Sequence, residues 1–148
     1  MKNKINYKIL LGFLVLLTSQ IAFSQDRFFA DADAFFSKYV KNEKVAYQSL
    51  ALNNSDLSNL VKQVEDFSLE GKTGQQQKAF WINAYNILVI KGIVEKYPVN
   101  SPMDIAGFFD TKKHMAAGEK VTLNQIENKK IRAVYNDARI HFVLVCAA

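Results

Sequence analysis

One apolar stretch, residues 78–97, constrains the fold of this chain more than any other part of the sequence. Its apolar side chains fall on nearly every side of a helix with about 3.6 residues per turn, and a helix that is apolar all round is normally buried. We therefore predict a central helix, about 30 Å long, that ends before Pro98 and is surrounded by the other elements. Its apolar positions are Phe80, Trp81, Ile82, Ala84, Tyr85, Ile87, Leu88, Val89, Ile90, Ile93, Val94 and Tyr97.

Two asparagines interrupt this apolar surface. Asn83 and Asn86 have the i,i+3 spacing that places both side chains on one face of the predicted helix. A buried amide costs free energy unless it is hydrogen-bonded, so both side chains should have defined partners. They either brace a loop against the core or line a site in which they orient a substrate or a catalytic imidazole.

The first residues have the features of a targeting segment. A basic start with three lysines is followed by the short apolar run Ile9–Leu17 and by small residues at Ala22 and Ser24. We predict that residues 1–24 are a signal peptide cleaved after Ser24, and that residues 25–148 form one exported domain, periplasmic or extracellular. The apolar run is too short to span the ~30 Å of bilayer hydrocarbon, so membrane contact is expected only through the signal peptide before cleavage.

Charge and cysteine content narrow the classes of function. Removing residues 1–24 takes away three lysines and no acidic residue, which lowers the formal net charge from +5 to +2. No cluster of Arg or Lys is interleaved with aromatic residues either, so we expect no nucleic-acid partner.

The sequence lacks His-x-x-x-His and Cys-x-x-Cys spacings, so we predict no metal site and no cofactor. Cys146 is the only cysteine, which excludes an internal disulfide.

Helices are predicted on both sides of the central one. Apolar residues at helical spacing predict one helix over residues 26–40 and another that starts at the capping residue Ser55 and ends near Phe67. Thr122 and Gln125 have the spacing of a capping box and open a further helix. The apolar stripe of that helix is Leu123, Ile126, Ile131 and Val134.

The remaining segments predict strands. Residues 45–52 suit a short strand or an extended segment, and residues 112–116 and 120–122 suit a small hairpin on which His114 should be exposed. The final run, residues 139–146, is rich in β-branched and aromatic residues and predicts a buried strand. The expected fold is therefore α+β, with several helices packed around the central helix and a small β-sheet that includes the C-terminal strand.

Several blocks of the sequence resemble one protein family. The run Phe80-Trp81-Ile82-Asn83-Ala84-Tyr85-Asn86, followed by Tyr97-Pro98-Val99, is similar to the signature of the domain of unknown function 547 family. Other blocks agree with it in order: Val45-Ala46-Tyr47 with Leu50, Leu123 with Ile126-Glu127, and Arg139-Ile140-His141-Phe142 leading to Cys146-Ala147. The resemblance covers about Glu43 to the last residue.

The resemblance carries two implications. It implies a distant likeness to papain-like cysteine peptidases and transglutaminases, which suggests a thiol-centred site. Related sequences continue past this point with a second cysteine-proline block and further helical sequence. Because the chain also stops two residues after a strand-like segment, we expect it to be the amino-terminal part of a larger domain.

A thiol site needs a nucleophile, a base within hydrogen-bond reach and a group that orients the base. The candidates are Cys146 as nucleophile, His141 as general base and Glu127 or an asparagine as the orienting group. On one regular strand, residues five apart point to opposite faces and lie roughly 16 Å apart, so His141 and Cys146 cannot pair there. The nucleophile is then a cysteine beyond residue 148, or Cys146 after a sharp bend.

Each candidate also has a structural interpretation. Cys146 suits a small buried side chain or half of a disulfide whose partner is missing, and His141 suits a strand histidine bonded to neighbouring backbone. Glu127 either pairs with Arg139 or orients His141, and we favour the ion pair.

Two functions remain open. The leading hypothesis is an exported thiol enzyme that acts on peptide or amide bonds of the cell envelope, with Asn83, Asn86 and Arg139 binding or orienting the substrate. The alternative is a non-catalytic binding or scaffold domain of the envelope. Nothing in the sequence indicates the oligomeric state.

Overall fold

The computed structural model describes residues 27–144. A first helix, α1, covers residues 27–39 and leads into a hairpin of β1 (Val40–Lys41) and β2 (Lys44–Val45). The elements that follow are α2 (Tyr47–Leu52), α3 (Ser55–Asp66), α4 (Gly74–Val94), a 3-10 turn (Pro102–Asp104), β3 (His114–Ala116), β4 (Glu119–Val121), α5 (Leu123–Gln125), the π-helical segment Ile126–Arg132 that continues α5, and α6 (Ile140–Val143).

The central helix is confirmed as α4, and it begins earlier than the apolar pattern predicts. The Thr73 hydroxyl accepts a hydrogen bond from the Gln76 amide, and the Gln76 side chain accepts one from the Thr73 amide. This capping box satisfies amides that have no partner inside the helix, so the helix starts at Gly74. α4 packs against α2, α3, α5 and the π-helical segment. Its buried residues are Phe80, Trp81, Ala84, Tyr85, Ile87, Leu88, Val89, Ile90, Gly92 and Ile93.

Three phenylalanines join the first half of α4 to the helices before it. Phe28 of α1 and Phe67, just after α3, are buried against Phe80 of α4. The rings of Phe67 and Phe80 are stacked with centroids 4.2 Å apart, and the ring of Phe28 lies 5.2 and 5.5 Å from them. Burying a side chain of this size contributes about 1.5–3 kcal/mol, so this cluster fixes α1 and α3 on α4.

The predicted small hairpin is confirmed as β3–β4, with His114 opposite Val121. Its turn lies against α3, because the amides of Ala117 and Gly118 donate to the carbonyls of Val64 and Glu65 at 2.8 and 3.0 Å. These carbonyls belong to the last turn of α3, where backbone acceptors lack a partner inside the helix. The docking leaves His114 only 6% exposed, so the expectation of an exposed histidine is wrong.

The capping box of Thr122 and Gln125 is confirmed, but the helix that it opens changes its winding. Over Ile126–Arg132 the chain is π-helical, and the amide of Ala133 donates to the carbonyl five residues earlier. Residues five apart therefore lie nearly above one another, which buries both Ile126 and Ile131 completely. Val134 is 61% exposed, so its place in the predicted apolar stripe is wrong.

The predicted C-terminal strand is wrong for residues 139–144. Residues 140–143 form the short helix α6, and the amide of Leu144, just after it, donates to the carbonyl of Ile140 at 3.3 Å. Ile140 and Leu144 are buried, whereas Phe142 between them is 83% exposed. In a strand these three side chains would share one face, so the burial pattern matches a helix. Short runs of apolar residues do not distinguish a buried strand from a buried helix by pattern alone. Cys146 lies outside the described residues, as does the predicted signal peptide.

Two smaller expectations also change. Most of the segment expected to be extended over residues 45–52 is helix α2, and only Val45 belongs to a strand. Asn54, and not Ser55, occupies the capping position of α3. The α+β class is confirmed, and within residues 27–144 the sheets are the two antiparallel hairpins β1–β2 and β3–β4.

Candidate functional site: a cleft beside the central helix

A cleft of about 630 Å³ lies between α4, the β1–β2 hairpin and the C-terminal end of the described chain. Its polar lining consists of Glu43, Tyr47, Asn83 and Asn86. Walls that are mostly apolar, with a few polar groups among them, are typical of ligand sites. The apolar lining residues are Phe36, Val40, Val45, Ile82, Val89, Ile90, Phe142, Val143 and Leu144.

The two asparagines of α4 face this cleft together, as their spacing predicts. The Nδ2 group of Asn86 donates to the carbonyl of Val143 at 2.9 Å and so ties the segment after α6 to the central helix. This confirms the bracing role for Asn86. Asn83 lies one turn earlier and is half-buried in the cleft wall, where its amide is available to a ligand. Asn86 thus both holds the wall and lines it.

Two polar groups of the cleft are not among the predicted site residues: Glu43 in the turn of the β1–β2 hairpin and Tyr47 at the start of α2. The Tyr47 hydroxyl is buried without a hydrogen-bond partner among residues 27–144, and burial raises the pKa of this phenol. Glu43 has a left-handed backbone, with φ of 64°, as does Asn42 before it. The only sequence signal at this place is the turn, which does not show that the hairpin faces α4.

His141 lies outside the walls of the cleft. It is exposed on α6, with its ring edge-on to Phe142 at a centroid distance of 5.7 Å. Its neighbours Phe142 and Val143 do line the cleft. Successive side chains of a helix differ in direction by about 100°. Because this segment is helical, Phe142 and Val143 line the cleft while His141 points elsewhere. The structure therefore does not bring His141 together with Asn83.

Glu127 binds a different arginine from the expected one. Its Oε1 atom is 2.8 Å from Nη2 of Arg132, and the hydroxyl of buried Tyr85 lies 3.4 Å from its Oε2 atom. The π-helical winding explains the partner, because it brings residue 132 to the same side of the helix as residue 127. The predicted ion pair between Glu127 and Arg139 is therefore wrong, because within residues 27–144 each side chain pairs with a different residue.

Arg139 instead forms a two-point contact with Asp137. Its Nε and Nη2 atoms donate to the two carboxylate oxygens, each at 2.9 Å. Lys78 of α4 donates to the same carboxylate at 2.6 Å. Hydrogen bonds from Arg139 and then from Lys78 hold the pKa of Asp137 well below its usual range. This cluster fastens the segment before α6 to the start of α4 and leaves Arg139 outside the cleft walls.

Residues 27–144 contain no group of three or more His, Cys, Asp or Glu side chains arranged to hold a metal ion. None of the helices in that range has the length and hydrophobicity that crossing a membrane requires.

Comparison with known proteins identifies a family. No curated protein and no solved structure shows significant similarity to the chain. A model of the family described as "Protein of unknown function, DUF547" matches residues 69–148, more than half of the chain. The match starts before α4 and includes both asparagines of the cleft. The chain therefore belongs to the domain of unknown function 547 family.

Proposed function

We propose that this protein is an exported binding domain that holds a peptide or another amide-containing ligand in the cleft beside α4. The observation that carries the proposal is the composition of the cleft: apolar walls that also present the Asn83 amide and the unpartnered Tyr47 hydroxyl. A buried hydroxyl without a partner costs roughly 1–3 kcal/mol, and an amide group of a ligand would remove that cost. A peptide supplies amides and apolar side chains together.

The dimensions of the cleft agree with this proposal. Its volume of about 630 Å³ falls within the range of about 300–1,000 Å³ that is usual for sites of small ligands. The apolar walls contribute affinity through burial, while the few polar groups orient the ligand. The hydrogen bond from Asn86 to Val143 holds one wall in place before the ligand arrives.

The binding test uses a labelled, blocked and uncharged pentapeptide rich in Val and Phe, titrated into the protein by fluorescence anisotropy. Replacing Asn83 by Ala should weaken binding about three- to tenfold, because one hydrogen bond is lost. The matched control is Asn136→Ala, an exposed asparagine outside the cleft walls, which should leave the affinity unchanged. Failure of the unaltered protein to bind the peptide would refute the proposal.

A thiol enzyme is the second candidate, and one observation favours it. The segment that links His141 to Cys146 in the sequence forms a wall of the cleft through Phe142, Val143 and Leu144. A ligand in the cleft would therefore lie beside Phe142 and Val143, which directly follow His141. The family resemblance of the sequence implies a distant likeness to papain-like peptidases and transglutaminases, and that implication belongs to this candidate.

Alkylation by iodoacetamide tests the second candidate. An activated thiolate reacts at a pH well below the usual thiol pKa of about 8.5, so Cys146 should react near pH 6 much faster than free cysteine. Replacing His141 by Ala should remove that advantage if the imidazole is the base. Equal reaction rates for Cys146 and free cysteine would eliminate Cys146 as an activated nucleophile.

A further inference from the structure

A second depression adjoins the cleft and shares two wall residues with it. It has a volume of about 310 Å³, and Val45 and Tyr47 belong to the walls of both depressions. The unpartnered hydroxyl therefore belongs to a residue at the boundary between the two. The other residues that line the second depression are Lys44, Ile93, Tyr97, Val99, Asn100, Ser101 and Pro102.

The two depressions share α4 as a floor. The cleft is lined by α4 residues from Ile82 to Ile90, and the second depression by Ile93 of the same helix. The distance from Ile82 to Ile93 along the helix axis is about 16 Å at ~1.5 Å per residue. An extended peptide rises ~3.3 Å per residue, so about five residues would span this floor.

The two depressions carry opposite charges. Glu43 is the one charged side chain in the lining of the cleft, and Lys44 is the one charged side chain in the lining of the second depression. Neither forms a salt bridge within residues 27–144. Lys44 also stands opposite Lys41 across the hairpin, so the positive charge on its side of the hairpin is reinforced.

We infer that the ligand is an extended peptide of about five residues that lies across both depressions, with a cationic side chain opposite Glu43 and an anionic group opposite Lys44. This inference rests on the proposed binding function and adds the length and charge pattern of the ligand. The Tyr47 hydroxyl would contact the middle of the peptide, where every peptide offers a carbonyl or an amide. The apolar floor accepts the side chains between the two charged ends.

Two blocked pentapeptides test the charge pattern. Both have the same Val and Phe centre, but one ends in Lys and Asp and the other ends in two norleucines. At low salt the charged peptide should bind about two- to fivefold tighter for each exposed ion pair that it forms. This advantage should disappear in roughly 0.5 M salt, because salt screens exposed charges.

Variants of the hairpin assign each charge to its depression. Replacing Glu43 by Gln, or Lys44 by Met, should weaken binding of the charged peptide about two- to fivefold relative to binding of the norleucine peptide. The matched control is Glu70→Gln, which removes an exposed carboxylate outside both depressions and should change neither affinity. A tripeptide that fills only one depression should bind at least tenfold more weakly than either pentapeptide.

The outcomes separate this inference from the proposed function. Equal affinities for the two pentapeptides, with no effect of Glu43→Gln or Lys44→Met, would overturn the charge pattern while the Asn83-dependent binding stands. A tripeptide that binds as tightly as the pentapeptides would overturn the length. If no peptide binds the unaltered protein, the proposed function itself fails.

Discussion

The burial of His114 should make the stability of this protein depend on pH. The side chain is 6% exposed, and its Nε2 atom has no hydrogen-bond partner among residues 27–144. Burial, and after it the positive charges of Lys112 and Lys91, lower the pKa of His114 from 6.5 to about 4, although Glu95 partly opposes the change. The folded protein therefore keeps this imidazole neutral at a pH where the unfolded chain is protonated.

The magnitude follows from the two pKa values. Between pH 6.5 and pH 4 the unfolded chain binds a proton that the folded chain excludes, so this group's stabilisation is complete above pH 6.5 and is lost as the pH falls. One pKa unit corresponds to about 1.4 kcal/mol, which gives a total of about 3 kcal/mol. Roughly 2.5 kcal/mol of this should be lost between about pH 7.5 and about pH 4.5.

Urea unfolding across that pH range measures this loss. The only tryptophan, Trp81, is buried in the core and reports unfolding by its fluorescence. Replacing His114 by Phe removes the titrating group, so the variant should lose roughly 2.5 kcal/mol less than the unaltered protein on acidification. The matched control is Val121→Ala at the paired position of the hairpin. This variant should be about 1–2 kcal/mol less stable than the unaltered protein at every pH. Its stability should therefore fall on acidification as much as that of the unaltered protein.

The reasoning is refuted if His114→Phe and the unaltered protein lose the same free energy of unfolding between the two pH values. The titration of carboxylates affects both proteins alike, so their difference isolates residue 114. A variant that unfolds with the same urea dependence confirms that the surface exposed on unfolding has not changed.

Two further predictions concern packing. A methyl group on Gly92 would lie 2.5 Å from the Phe108 ring, so Gly92→Ala should cost roughly 1–3 kcal/mol in urea unfolding. Gly74→Ala, where nothing lies within 4 Å, should cost nothing, and a cost equal to that of Gly92→Ala would contradict the close contact. Ile131→Ala should cost about 2–5 kcal/mol, whereas Val134→Ala should stay within about 0.5 kcal/mol. Equal costs at these two positions would exclude the π-helical winding.

The candidate site was predictable only where neighbouring residues define it. The i,i+3 spacing places Asn83 and Asn86 on one face, and the structure keeps them there. The partner of Asn86 is the carbonyl of Val143, which lies 57 residues away in the chain and has no sequence signal. Glu43 and Tyr47 were missed for the same reason, because the hairpin turn and the start of α2 meet Asn83 and Asn86 only in the folded chain.

Membership of the domain of unknown function 547 family agrees with the sequence blocks that suggested it. Membership assigns no role to any residue, so the proposed function is argued from the cleft alone. Two of the proposed catalytic side chains, His141 and Glu127, lie on different elements and outside the cleft walls. The position of Cys146 relative to them is outside the described residues.

The sequence by itself determined the features whose causes lie within a few neighbouring residues. The apolar surface of α4, the capping box of Thr122 and Gln125, and the β3–β4 turn all depend on local spacing and local hydrogen bonds. These features were sufficient for the α+β class and for the choice of the central helix.

Only the tertiary structure decided the burial of His114, the winding of Ile126–Arg132 and the helical state of residues 140–143. Each of these depends on surfaces that meet from distant parts of the chain, such as the hairpin turn against the last carbonyls of α3. The tertiary structure also decided the ion pairs, in which Glu127 binds Arg132 and Arg139 binds Asp137. Contacts over long separations decide between local alternatives of similar free energy, which is why the sequence pattern left them open.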